Sequence, residues 1–226
     1  LMLSSTDGRV REDHILAEPA ARNTSACIGY AALEIVKKYG DGIMCILPSD
    51  HYIKDMEGYD AVMEEAFLAA EKTDYLITIG IKPTLPATGY GYIKSSDQKI
   101  AGYAKAEDFV EKPDVRTAKE YLQEGSFLWN SGMFVWRAST ILKHFEALLP
   151  DVYACLQKIE LAMNTPDEMK VLEEVYPTIP KISIDYGIME RSTEVLVLEG
   201  NFGWNDVGSW DALQSLYDED ENGNII

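Results

Sequence analysis

The sequence predicts an α/β fold built on a doubly wound sheet flanked by helices. Three observations carry that reading. Short apolar runs alternate with longer amphipathic stretches, the runs stop abruptly at proline, glycine or a charged residue, and no internal repeat or low-complexity linker divides the chain. Uninterrupted apolar runs suit strands covered on both faces, and their alternation with helical periodicity is the pattern of sheets wrapped by helices.

The elements follow in order. "HILAE" (14–18) reads as a short strand. In "PAARNTSACIGYAALEIVKKYG", Asn23 or Thr24 caps a helix that Gly40 ends, with Cys27, Tyr30, Ala31 and Ile35 recurring at helical spacing. "GIMCILPSD" is an apolar run stopping at Pro48, expected to be a parallel strand covered on both faces. "EGYDAVMEEAFLAAEKT" is a second amphipathic helix and "YLITIGI" a third buried strand. After residue 86 the strands carry polar interruptions: "GYGYIKS", "YAKAEDFVEKP" and "SFLWNSGMFVWRA", with the helix "VRTAKEYLQEG" between them. A helical stretch over roughly 138–175 precedes the strand "VLVLEG", the segment "NFGWNDVGSW" and a short helix "SWDALQSLY". One mixed α/β domain accounts for all of it.

Composition narrows the function. A chain of 226 residues buries a real core, and 46% hydrophobic with 26% charged residues is an ordinary globular balance. No apolar run approaches a membrane span, and the first residues lack a signal-peptide pattern. Cys27, Cys45 and Cys155 form no CxxC pair and are odd in number, so they read as reduced core residues of a cytoplasmic protein. A net charge of −18 argues against a nucleic-acid surface, which needs clustered Lys and Arg. It leaves room for a small phosphorylated substrate held by one or two cations. The acidic run "DEDEN" (218–222) reads as a solvated turn.

Chemistry is expected where ligands gather in open sheets, at the carboxyl ends of strands. Asp50 stands there in "LPSDH", either as a helix cap or as a ligand. Asp206 sits in "NFGWNDVGSW" among Trp204, Trp210, Gly203 and Gly208. That is either a tight turn with buried tryptophans or a carboxylate held still for a metal or a hydroxyl. Two carboxylates at one sheet edge make a natural Mg²⁺ site, because Mg²⁺ takes few protein oxygens and keeps places for water and phosphate. "FVEKP" sets Glu111 beside Lys112 just before Pro113, as an acceptor and a point charge for a sugar phosphate or as a surface ion pair. Asn130 lies beside Gly132 inside a strand, where glycine marks a bulge or a close approach. "ATGYGYI" (87–93) suits backbone contact with a sugar, or a hairpin turn. His14, His51 and His144 are scattered, and no catalysis is assigned to them.

"EPAARNT", "LPSDH", "TGYGYI", "FVEKPD", "WNSGMF", "SIDYGIME" and "GWNDVGSW" occur in the order seen in bacterial mannose-1-phosphate guanylyltransferases. From about Leu16 to Leu213 the chain resembles these sugar-phosphate nucleotidyltransferases. The resemblance implies a Rossmann-like nucleotide-diphospho-sugar transferase fold and Mg²⁺ carried by Asp50 and Asp206. It implies Lys112 on the sugar 1-phosphate, with Glu111, Asn130 and Gly89 around the sugar hydroxyls and Asp185 and Tyr186 near the same pocket. Glu18, Arg22, Asn23 and Thr24, with Pro48 and Ser49, correspond to the nucleotide side. The implied reaction converts GTP and mannose 1-phosphate into GDP-mannose and pyrophosphate.

Such families open on a strand and a glycine-rich loop, GGxGxRLWPLSR, which wraps the triphosphate; "LMLSSTDGRVREDHI" holds nothing like it. Smaller departures are Ala21 and Ser25-Ala26, where relatives often carry Gly and Ala-Pro. The expectation is therefore a truncated catalytic domain over 1–217 and the start of a C-terminal segment over 218–226, with little activity alone. Apolar surface exposed by the shortened sheet is expected to favour self-association. The alternatives are a nucleotidyltransferase for another hexose 1-phosphate or a non-catalytic sugar-nucleotide-binding or regulatory homologue.

Overall fold

The computed structural model describes residues 9–208 and Ala212. Helix α1 (Asn23–Tyr39) begins where the Asn23 side chain accepts the Thr24 N–H at 2.8 Å. It ends at Gly40, whose φ of +80° only glycine adopts freely. Strand β1 (Ile43–Ile46) and the two-residue β2 (Tyr52–Ile53) lead into α2 (Met56–Lys72), capped by Asp55 accepting the Gly58 N–H. Strand β3 (Leu76–Ile81) is buried at every position. Strands β4 (Tyr92–Ile100) and β5 (Tyr103–Val110) form a hairpin, and α3 (Val115–Glu124) is capped by Asp114 and closed by Gly125 in the left-handed region.

The long β6 (Phe127–Arg137) precedes α4 (Ala138–Leu148), α5 (Pro150–Ala162) and α6 (Glu168–Val175). A π-helical turn covers Asp185–Met189, then β7 (Val195–Gly200) and β8 (Trp204–Asn205) follow. The six-stranded sheet has the order β1-β6-β3-β7-β5-β4, and β2 pairs with β8 apart from it. β3 and β7 run parallel, while β6 is antiparallel to both β1 and β3, so the sheet is mixed.

Each face of the sheet has its own apolar cluster. Ala66, Ala69 and Ala70 of α2 and Ala118 of α3 pack on Ile77, Ile79, Val135 and Leu196. On the opposite face Leu33 of α1, Phe145 of α4 and Leu156 of α5 meet Phe134, Trp136 and Val197. Small residues on α2 let the helix lie close to the strands, and burial of this kind is worth roughly 25 cal/mol per Å² of apolar surface. Among the described residues no helix is long and apolar enough to cross a membrane.

Several expectations need correction. "HILAE" is no strand: Glu12–His14 form a 3₁₀ turn and the following residues run without regular pairing. β1 is not a parallel strand covered on both faces; among the described residues it pairs with β6 alone, antiparallel, with only Met44 buried. Continuous apolarity describes the run but not which neighbours it meets. The thiols are free, yet Cys27 and Cys45 are exposed and Cys155 half-buried, so the cysteines are not core residues. The stretch over roughly 138–175 is three helices, broken at Leu149–Pro150 and again at 163–167. Trp210, the helix "SWDALQSLY" apart from Ala212, and "DEDEN" lie outside the described residues.

Candidate functional site

Two strands leave the same side of β6. β1 pairs with its second half, over Phe134–Arg137, and β4 with its first, over Phe127–Trp129. Between those ladders, at residues 130–133, β6 has no strand partner on that side, and the Asn130 N–H donates to the Gly91 carbonyl at 2.8 Å. A cleft of about 190 Å³ opens there, and Gly89, Glu111, Lys112, Asn130, Asp185 and Asp206 line it. Pro48 and His51, just past the end of β1, close one side. The position agrees with the rule that ligands collect where neighbouring connections part.

Backbone geometry aims the charged pair. β5 stops at Val110, and Lys112 takes φ +50°, a left-handed conformation that is unusual for a residue with a side chain. Pro113 disfavours a right-handed helical conformation at Lys112. The kink brings Glu111 and Lys112 to one face, with Lys112 Nζ 3.4 Å from Glu111 Oε1. Their side chains differ sharply in exposure, 11% for Glu111 and 58% for Lys112. The carboxylate is therefore a wall of the cleft and the ammonium its accessible charge.

The acceptor set is held from below. Asn130 Nδ2 donates to Asp185 Oδ1 at 2.9 Å, and Asn130 Oδ1 accepts the Gly132 N–H at 3.1 Å. Both amide ends are thus fixed, and Gly132 at φ +72° is the position that makes the return contact. Burial pushes the Asp185 carboxyl above its usual range, with the Asn130 amide and Lys112 pulling it back. Burial also pushes Glu111 up, Asp185 adds to the rise, and Lys112 opposes it. Among the described residues Glu111 Oε2 is buried without a hydrogen-bond partner, an acceptor ready for a ligand hydroxyl. Gly91 leaves the space: a Cβ there would collide with Glu111 Oε2 and lie 3.2 Å from Asn130 Cβ.

Among the described residues two donors fix Asp206, the Tyr90 hydroxyl at 2.9 Å and the Gly208 N–H at 3.1 Å, both to Oδ1. Val207 follows at φ +51°, outside the range a β-branched residue prefers, while its N–H donates to Asn205 Oδ1 at 2.7 Å. Tyr90 packs edge-on against Trp129 and Trp204. The Trp204 indole N–H donates to His51 Nδ1 at 3.0 Å. An indole N–H only donates, so Nδ1 accepts and His51 in its neutral form carries its proton on Nε2. Burial holds His51 below its ordinary pKa, while Asp50 and Asp206 pull it upward. His51 is a site residue without a role in the sequence analysis, and Tyr90, Gly91 and Trp204 figure there only as members of "ATGYGYI" and "NFGWNDVGSW". The contiguity of "LPSDH" and "TGYGYI" with named site residues is the available signal.

The other expected residues lie elsewhere. Asp50 and Ser49 are exposed beside Pro48 and do not line the cleft. Tyr186 is exposed and is not part of the lining. Glu18 Oε2 accepts the Tyr176 hydroxyl at 2.6 Å, and Thr24 Oγ1 accepts the Ile184 N–H at 2.9 Å. Neither Asn23 nor Thr24 caps α1 as expected: the cap position is Arg22, without a side-chain cap, and Asn23 is the first helical residue, at φ +67°, its Oδ1 accepting the adjacent Thr24 N–H. Arg22 Nε is buried without a partner among the described residues. This group forms a separate ledge tied to the cleft through Ile184 and Asp185. Among the described residues, no three His, Cys, Asp or Glu side chains converge as a metal cluster.

Residues 5–223 match the family described as nucleotidyl transferase. The chain is 42% identical over 216 residues to the xanthan biosynthesis protein XanB of Xanthomonas campestris pv. campestris strain B100, covering 95% of this chain and 46% of that protein. It is 39% identical over 218 residues to the mannose-1-phosphate guanylyltransferase of Salmonella montevideo, covering 93% of this chain and 45% of the relative. The chain therefore spans about half the length of these relatives. Among solved structures, one named mannose-1-phosphate geranyltransferase, from Thermus thermophilus, superimposes with a TM-score of 0.84 at 34% identity, over 97% of this chain and 62% of that one.

Proposed function

Because this chain belongs to the nucleotidyl transferase family, we propose that its cleft holds mannose 1-phosphate for attack on the α-phosphorus of GTP, giving GDP-mannose and pyrophosphate. The convergence of Lys112, Glu111, Asn130, Asp185 and Asp206 on one opening is the observation that carries the reading. Kinship with a relative named mannose-1-phosphate guanylyltransferase supports the choice of substrates.

Lys112 neutralises the sugar phosphate, and Glu111 Oε2 accepts from a sugar hydroxyl that satisfies its unpartnered oxygen. Asn130 and Asp185 hold the opposite rim as a fixed donor–acceptor pair. The nucleotide lies toward Pro48, Ser49 and the ledge of Glu18, Arg22, Asn23 and Thr24. Phosphoryl transfer asks little covalent work of a protein, so positioning and charge neutralisation carry the rate.

Asp206, on the wall of the cleft, and Asp50, exposed just past β1, are the carboxylates we assign to a hard cation, because Mg²⁺ needs few protein oxygens. A bound Mg²⁺ supplies charge neutralisation for the phosphate oxygens. We read the compartment as the cytoplasm, because Cys27 and Cys45 are exposed free thiols of the kind a reducing environment preserves.

The test is pyrophosphate release by the full-length protein, and by this chain beside it, with Mg²⁺, mannose 1-phosphate and each nucleoside triphosphate in turn. Turnover with GTP in preference to the others is expected. Release with another hexose 1-phosphate in preference to mannose would reassign the sugar. No release by folded full-length protein would overturn the proposal.

A further inference from the structure

We propose that Glu190 is a positioning residue that holds the Glu111–Lys112 step in register with the cleft; the assignment rests on the function proposed above. Glu190 Oε1 accepts the Glu111 backbone N–H at 2.9 Å, across 79 residues of sequence. That N–H lies one residue before Lys112, the left-handed position at φ +50°. A left-handed residue with a side chain persists where its surroundings over-determine it, and the Glu190 contact is a charge-assisted hold on the adjoining peptide.

Glu190 also stands where its charge is a burden. It adds to the upward pull on the Glu111 carboxyl, because two carboxylates near one another disfavour ionisation. A carboxylate serving only a solvated surface would do as well elsewhere; here its gain is the backbone contact. Glu190 does not line the cleft itself but forms part of the wall of a neighbouring cavity of about 330 Å³ beside Phe109 and Met189.

The same turn ties three parts of the site together. The Glu190 N–H donates to the Asp185 carbonyl at 2.9 Å, the five-residue span that defines the π-helical turn. Asp185 accepts from Asn130 on β6, and Ile184 is tied to Thr24 on α1. One short turn thus grips β6 through Asp185 and the end of β5 through Glu190. A π-helical turn places residues five apart side by side, which an α-helical turn would not.

The test is steady-state kinetics on full-length protein carrying Glu190→Ala or Glu190→Gln, with an amide spectrum of each. Glutamine keeps an oxygen acceptor and is expected to hold KM for mannose 1-phosphate within about twofold. Alanine is expected to raise that KM by about tenfold while kcat and the GTP KM move less than about twofold. The Glu111 amide proton should shift upfield in the alanine variant and stay near its place in the glutamine variant. Equal changes in all three constants, or an unmoved Glu111 amide in the alanine variant, would overturn the assignment. If the alanine variant does not fold, Glu190→Asp, whose oxygen is retracted by one methylene, should give the same KM rise, and a wild-type KM there would overturn it. A wild-type protein without turnover defeats the proposed function instead, and the amide shift then decides the Glu190 contact by itself.

Discussion

The Tyr90 hydroxyl donates to Asp206 Oδ1 at 2.9 Å, joining residues 116 positions apart across the mouth of the cleft. Burial pushes the Tyr90 phenol above its ordinary pKa, and the Asp206 carboxylate pushes it further, so the phenol stays protonated and donating. Tyr90→Phe removes one of the two donors that fix Asp206 without altering the ring that packs on Trp129 and Trp204. The expected result is an increase of about tenfold in the Mg²⁺ concentration for half-maximal turnover, with stability lowered by about 1 kcal/mol. A Mg²⁺ titration checks it; an unchanged midpoint would take Asp206 out of the metal site.

Gly91→Ala should strike the sugar side. The added methyl would meet Glu111 Oε2 and press Asn130 Cβ, and the carboxylate is the softer of the two. We expect Glu111 to swing out of the cleft, the KM for mannose 1-phosphate to rise by at least about tenfold, and the GTP KM to hold. Parallel KM changes for both substrates would contradict this.

Gly80→Ala tests the sheet rather than the site. A Cβ on Gly80 would sit 2.8 Å from Leu128 Cβ and 2.9 Å from Val197 Cγ2, in a packed interior. Overpacking of that kind destabilises by about 1–3 kcal/mol, with about 2–4 °C of melting temperature per kcal/mol in a chain of this size. A thermal melt measures it, and an unshifted midpoint would mean that β3, β6 and β7 do not meet as described.

Asp185→Asn sets stability against function. The native state holds the Asp185 proton more tightly than the unfolded chain, because its carboxyl is raised above the usual range. Its contribution to stability therefore falls as pH rises from the ordinary carboxylate pKa through the raised one. Asparagine removes that burial penalty and keeps an oxygen for the Asn130 amide. Denaturant unfolding should show the variant gaining on wild type at neutral pH, and the gain vanishing below about pH 3, where the Asp185 carboxyl is neutral in the folded and the unfolded state alike. Sugar 1-phosphate affinity should fall at the same time. A loss of stability equal at both pH values would contradict the account.

The chain shows its local elements plainly and its long-range ones hardly at all. "YLITIGI" holds the fully buried β3, and Gly40 ends α1 as its backbone freedom allows, while the start of α1 carries no side-chain cap. Glu111, Lys112, Asn130, Asp185, Gly89 and Asp206 are nameable from sequence because each sits in a short motif, and the cleft gathers all six. The antiparallel pairing of β1 with β6 is not legible, since an apolar run does not record its neighbours. Nor are the Trp204–His51 and Glu190–Glu111 contacts, which span 153 and 79 residues. The π-helical turn at Asp185–Met189 is not legible either, and its ties, Ile184 to Thr24 and Asp185 to Asn130, are tertiary contacts without a local pattern.

The most direct measurement is a calorimetric titration of mannose 1-phosphate into full-length wild type and Lys112→Ala, each shown to be folded. The wild type should bind the sugar phosphate, and removing the exposed Lys112 ammonium should weaken binding by about tenfold or more. Equal affinities for the two proteins would mean that the phosphate is held elsewhere, and the cleft between β1 and β4 would lose its place as the sugar-phosphate site.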